Sequence, residues 1–258
     1  MIKNNFKGLT YYTFEKLIPF PGIKHGVFTR DGGVSDGACA GLNLGIVPND
    51  SRTNVLENRD RVLKALDGKY FVSTNQTHGT EVFVSNGEIQ DNTEADAIIT
   101  DKKGATLLIK TADCQAVILY DHAKNVIGNV HSGWRGSISN IIGSTISKME
   151  TEYGSKPEDI VAGICPSLGP CCAEFKNYRD EIPEKYWSYE IGNNHFDFWK
   201  ISFDQLKVSG VLEKNIEIGN ICTKCNPNLF YSYRKERDTG RFGTVIMLNE
   251  TISIIKDE

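Results

Sequence analysis

From Tyr70 to His131 the chain is a series of short apolar runs rich in β-branched residues: YFVS, EVFV, ADAIIT, ATLLIK, AVILY and VIGNV. Turn residues separate them, Asn86-Gly87 and Lys103-Gly104 among them, so the stretch predicts a sheet of about five or six strands. The period changes on either side. Upstream, HGVFTRDGGVSDG reads as a short strand entering a Gly-rich turn, and a helix is predicted from about Thr53 to Leu66. Val55, Leu56, Val62, Leu63 and Leu66 share one side of it, and Asp50 or Ser51 can cap its start. Downstream of Arg135, Ile138, Ile141, Ile142, Met149 and Tyr153 recur at helical spacing, with Ser137 as the expected N-cap and Gly154 and Pro157 as the stop. A strand through IVAGI, the turn CPSLGPCC, a helix around Phe198 to Val211 and a closing strand FGTVIML complete the pattern.

No repeat, low-complexity tract or linker divides the chain, so one α/β or α+β body covering residues 1–258 is expected. A net charge of −4 offers no general attraction for nucleic acid, which makes a small-molecule partner the expectation. No run approaches the ~18 apolar residues of a membrane span, and the first residues lack a signal-peptide core, so a cytoplasmic protein without a membrane partner is expected. Seven cysteines are an odd number, which argues against a disulfide framework.

The chemistry concentrates at strand ends. VIGNVHSGWRG is an apolar strand that stops at His131 and turns through two glycines, with Arg135 in the turn able to hold a phosphate or carboxylate. TADCQAVILY places Asp113 and Cys114 at the mouth of another strand, and NQTHGTEV puts Gln76 and His78 in a turn. His78, Cys114 and His131 are three of zinc's preferred ligand types, and three protein ligands leave a position open, as catalytic sites do. The same residues admit a second reading, with Cys114 as thiolate nucleophile and His131 as its base. The pair Cys222/Cys225 in CTKC and the vicinal Cys171-Cys172 read as buried, reduced thiols. Arg241, in the basic and aromatic FYSYRKERDTGR, stands in a Gly turn within reach of a ligand's phosphate.

Taken together, TRDGGVS, LNLG, NQTHG, TADC, HSGWRG, GICPSLGPCC and YSYRKERDTGR resemble the family first described as laccase-like multicopper polyphenol oxidases and later as purine nucleoside phosphorylases, which includes the bacterial peptidoglycan editing factor. The resemblance runs from about Gly26 to Leu248. It implies a single α/β domain with mixed sheets flanked by helices, similar to toxin-deamidase-like cysteine hydrolases. It also implies Zn2+ on His78, Cys114 and His131, phosphorolysis of adenosine, inosine, guanosine and methylthioadenosine, and deamination of adenosine. Ser132 and Cys165 depart from the family's usual Ala and Gly.

On this reading Cys114 and His131 are catalytic, Asp113 shuttles a proton, and Arg30, Asn43, Gln76, Arg135 and Arg241 hold nucleoside and phosphate. The rival expectations are amide hydrolysis of muramoyl-serine cell-wall precursors, a metal-free Cys–His hydrolase, and a scaffold whose zinc is closed by Cys165 or Cys171. A multicopper site sits poorly with five histidines, of which His25, His122 and His195 lie outside the cluster.

Overall fold

The computed structural model describes residues 1–88 and 93–249. The chain opens with β1 (Ile2–Phe6) and β2 (Leu9–Thr13), a hairpin turning at Lys7-Gly8, where both residues take the positive φ that a two-residue turn demands. Then follow β3 (Ile23–Phe28), α1 (Arg52–Leu66), β4 (Tyr70–Val72), β5 (Val82–Val84), β6 (Ala97–Thr100), β7 (Ala105–Thr111), β8 (Gln115–Asp121) and β9 (Val126–Ser132). Next come α2 (Trp134–Ile138), α3 (Ile141–Tyr153), β10 (Ile160–Ile164), α4 (Tyr178–Glu181), α5 (Phe198–Val208), β11 (Ile216–Ile218), α6 (Tyr233–Glu236) and β12 (Phe242–Leu248).

The strands form two mixed sheets, ordered β1-β2-β3-β12-β7-β4 and β11-β10-β8-β9-β6-β5. Neighbours are antiparallel except β4–β7, β5–β6 and β10–β11. The run expected to make one sheet is therefore shared between two, because β7 pairs with β12, from the far end of the chain, and β4 adds to the other side of β7.

Burial explains the sequence pattern of β8. Ala116, Ile118 and Tyr120 face the first sheet, where they meet Leu107, Ile109, Phe242 and Ile246. Val117 and Leu119 face the other way, onto Ile142, Ile146 and Met149 of α3 and Leu206 of α5. A strand covered on both faces must be apolar throughout, which is why AVILY shows no alternation. On the outer face of the first sheet, Val62 and Leu66 of α1 cover Leu108, Val245 and Met247. The result is four layers, helix, sheet, sheet, helix, around a core between the sheets.

The segment after Arg135 departs from expectation. It is broken into α2 and α3 at Asn140, whose backbone is left-handed (φ 60°) and whose side chain caps α3 by accepting from the Gly143 amide. Ser137 is not an N-cap but lies inside α2, its hydroxyl 2.9 Å from that of Ser132. Gly154 ends α3 in the left-handed region as expected. Among the described residues no helix is long and apolar enough to cross a membrane.

Candidate metal centre and its two cavities

The antiparallel register of β8 and β9 sets Ala116 opposite His131. Side chains alternate along a strand, so Cys114, two residues before Ala116, projects on the same side as His131, toward the end of the space between the sheets. His78 arrives from the loop that carries the chain from β4 in the first sheet to β5 in the second, with a left-handed backbone (φ 64°). One ligand atom from each of His78, Cys114 and His131 lies within 4.8 Å of the others. The Cys114 sulfur is 3.8 Å from His78 Nε2, and the two imidazole rings stand edge to face at 4.9 Å.

What holds the three together is Asp96, fully buried at the mouth of β6. Its Oδ1 accepts from the His78 amide at 2.9 Å and lies 2.7 Å from His131 Nδ1. Its Oδ2 accepts from the amides of Thr77 and Gly79 and from the Thr77 hydroxyl. The backbone continues the clamp, the His131 amide donating to the Asp96 carbonyl at 2.6 Å. Burial would raise the Asp96 carboxyl, but His131 and the Gly79 and His78 amides overrule it and hold the group well below the usual carboxylate range. An ionised carboxylate only accepts, so His131 Nδ1 carries the hydrogen and Nε2 is left to serve as a ligand.

Burial also opposes charge on Cys114, yet His131 and His78 draw its thiol down to about 6. His131, which burial alone would lower, is pushed up to about 9 by Asp96 and Cys114. Both shifts favour a thiolate beside an imidazolium, a pair of groups that suits a cation in place of that proton. Gly133 makes the room. A Cβ there would stand 2.8 Å from the His78 ring and 3.3 Å from the Cys114 sulfur. Two imidazole nitrogens and a thiolate, one imidazole oriented by a buried carboxylate, form a donor set that fits zinc.

Two cavities meet at this centre, sharing His78, Ala112, Cys114 and Tyr233. One, of about 600 Å³, is walled by Trp134, Phe175, Phe198 and Tyr233, with Arg135 and Arg234 also in its lining. Arg135 lies 4.3 Å over the Trp134 ring, and Arg234 donates to the Glu174 carbonyl. The other, of about 830 Å³, is more polar and carries Arg59, Lys110 and Arg241. Burial, aided by Arg59, lowers the Lys110 ammonium to about 8, while it donates to the Ser73 hydroxyl and the Thr74 carbonyl.

The other expected site residues are distributed unevenly. Gln76 lines the polar cavity, though its amide is paired with both backbone groups of Lys110. Asp113 lines the aromatic cavity, but its oxygens each accept at 2.6 Å, from the Thr223 hydroxyl and the Arg234 amide, which makes it a clamp on the last loop. Arg30 and Asn43, expected to hold nucleoside and phosphate, are not among the described residues that line these two cavities. Arg30 stacks on Tyr231 and pairs with Glu236 and the Pro227 carbonyl, and buried Asn43 ties Gly45, Asp50 and Arg241 together.

The scaffold reading loses its fourth ligand. Cys165 sits in the core and Cys171 gathers with three other thiols. The expectation of buried thiols also fails for Cys171 and Cys225, which are exposed. Sequence reasoning missed Asp96, whose only signal was an acid opening the apolar run ADAIIT. It also missed Arg59, Lys110 and Arg234.

Residues 24–249 match the family model described as multi-copper polyphenol oxidoreductase laccase. The chain belongs to that family. Its relatives include a purine nucleoside phosphorylase of Bacteroides thetaiotaomicron, 30% identical over 92% of this chain and 96% of the relative. Another, from Deinococcus radiodurans, is 34% identical over 88% and 89% of the two chains. Among solved structures, YlmD from Geobacillus stearothermophilus superposes with a TM-score of 0.84 at 29% identity, covering 96% of this chain and 98% of that one. The YfiH protein of Bacillus licheniformis superposes with a TM-score of 0.86 at 26% identity, covering 95% and 98%.

Proposed function

We propose that this family member is a zinc-dependent purine nucleoside phosphorylase that also deaminates adenosine. The observation that carries the reading is the placement of His78, Cys114 and His131 where an aromatic cavity meets a cationic one. Its family relatives named purine nucleoside phosphorylase support it.

A purine is a flat ring with polar edges, and Trp134, Phe175, Phe198 and Tyr233 offer it faces and edges to pack on. Phosphate is a multiply charged anion, and Arg59, Lys110 and Arg241 supply the opposing charge on the other side. A nucleoside spanning the centre has its glycosidic bond between the two, so phosphate is held against C1′ as the purine leaves. A phosphate oxygen bonds to C1′, the C1′–N9 pair passes to the purine, and ribose 1-phosphate results.

Zinc bound by His78, Cys114 and His131 supplies Lewis acidity at this point. Asp96 fixes the ligand tautomer of His131, and Asp113 positions the Arg234 wall. The multicopper name of the family finds no counterpart, because His25 packs on Phe14, His122 stacks on Phe20 and His195 bonds to the Asn193 carbonyl, all outside the trio.

One observation favours a second reading, a metal-free thiol hydrolase of the toxin-deamidase-like kind: Cys114 is drawn toward the thiolate by His131. The test is incubation of purified protein with adenosine or inosine, with and without phosphate, alongside a UDP-muramoyl-serine precursor. Ribose 1-phosphate that requires phosphate, together with loss of turnover and of the zinc held by this centre in Cys114→Ser, is the expected result. Turnover in metal-free protein with an acyl group trapped on Cys114 establishes the thiol reading, and product from the precursor alone overturns the purine assignment.

A further inference from the structure

Four cysteines outside the candidate centre gather at one place. Cys171 and Cys172 lie in the loop after β10, Cys222 and Cys225 in the loop after β11, and those strands are parallel neighbours, so both loops leave the sheet side by side. The pairing continues past the strands, with the Ser167 amide donating to the Ile221 carbonyl and the Thr223 amide to the Ser167 carbonyl. All four sulfurs lie within 4.8 Å of one another, with Cys225 3.7 Å from Cys171 and 3.5 Å from Cys172.

Such spacing has few explanations. It is far beyond the ~2.05 Å of a disulfide bond, and all seven cysteines of the chain are free. Apolar packing does not account for it either, since Cys171 and Cys225 are exposed. Four sulfurs at ~2.3 Å from one tetrahedral ion stand about 3.8 Å apart, close to the two distances from Cys225 and inside the 4.8 Å that bounds all four. A multi-iron cluster holds its cysteines around a larger core and would spread them more widely. The surroundings also suit a thiolate: the Gly169 amide donates to the Cys222 sulfur at 3.3 Å. Gly169 itself is obligatory for that approach, because a Cβ would stand 2.9 Å from both the Cys222 Cβ and the Trp199 ring.

We propose that Cys171, Cys172, Cys222 and Cys225 bind one zinc ion as a closed four-thiolate structural site. Two short loops with no regular structure of their own are thereby fastened to each other. On their inner sides they hold Asp113, through the Leu168 amide to its carbonyl and the Thr223 hydroxyl to its carboxylate. Ser167, Leu168, Ala173 and Phe175 from the first loop line the aromatic cavity. The site therefore sets the wall of that cavity without presenting a position for substrate.

The test counts metal in full-length protein purified without chelators. Wild type is expected to hold two zinc ions per chain, and Cys225→Ser and Cys114→Ser one each. Cobalt added to metal-stripped Cys114→Ser is expected to give the intense charge-transfer and visible bands of a tetrahedral four-thiolate ion, absent from the Cys114→Ser/Cys225→Ser double variant. If Cys225→Ser fails to fold, Cys172→Ser and the cobalt spectrum of Cys114→Ser carry the test. Wild-type metal content in folded Cys225→Ser overturns the proposal. So does a metal-stripped Cys114→Ser that binds no cobalt, a mass two hydrogens short that marks a disulfide, or bound iron in place of zinc. Because Cys114→Ser lacks the other centre, failure of that centre and failure of this one give different counts.

Discussion

Replacing Asp96 with Asn tests the centre at its support. The carboxylate has no exposure and accepts from two donors at Oδ1 and three at Oδ2. Asn keeps one oxygen and turns the other into a donor. If the amide nitrogen takes the Oδ2 position, it opposes the Thr77 and Gly79 amides and the Thr77 hydroxyl, so the cheaper arrangement gives up Oδ1. There the His78 amide loses its acceptor, at about 1–3 kcal/mol for a buried donor. His131 must then accept at Nδ1, which moves its hydrogen to Nε2 and removes the lone pair facing the metal position. The expected result is about 1–3 kcal/mol lost in urea denaturation of metal-free protein and at least a 10–100-fold loss of zinc affinity, the range for such supporting residues. A chelator-competition titration reads the second quantity. Thr77→Val is the control, since it removes one bond to Oδ2 and leaves His131 untouched. Wild-type zinc affinity in Asp96→Asn would refute the role given to the carboxylate.

Further consequences follow from other positions. Gly133→Ala, by placing a Cβ 2.8 Å from the His78 ring, is expected to lower zinc affinity at least tenfold while urea stability of the metal-free protein changes far less; unchanged affinity in the same titration means that the ligands have slack. His25 accepts from the Phe14 amide, and burial lowers its imidazole to about 4. The unfolded chain therefore takes up the proton first, and stability present above pH 6.5 is lost as pH falls toward 4, by about 3 kcal/mol in all. Denaturation of wild type and His25→Gln across this range checks it, because Gln still accepts from Phe14 but does not titrate; equal slopes would sink the assignment. Lys110, lowered to about 8, is expected to raise the KM for phosphate as pH climbs past 8 while its charge disappears, a rise that Lys110→Arg abolishes in initial-rate measurements.

How much of this molecule was legible in the chain depends on how local each cause was. The runs AVILY and VIGNV announced strands because both faces of β8 and β9 are covered, and that burial is written in consecutive residues. The opening hairpin was not, since IKNNF lies at a sheet edge and carries little apolar signal. The break between α2 and α3 escaped because Ile138, Ile141 and Ile142 keep a helical rhythm across Asn140, whose left-handed backbone is a tertiary outcome. The three candidate ligands were readable residue by residue, for His78, Cys114 and His131 each end a run or sit in a turn. Asp96 was not, because its role comes from the register that sets Ala97 of β6 opposite Val130 of β9 and thereby lays the acid beside His131. The four thiols make the same point more sharply. Cys171 and Cys225 are 54 positions apart, and neither CC nor CTKC is a metal motif alone. Only the parallel pairing of β10 with β11 brings the two halves together, so a pairing fact, invisible in either segment, turns two weak patterns into one coordination sphere.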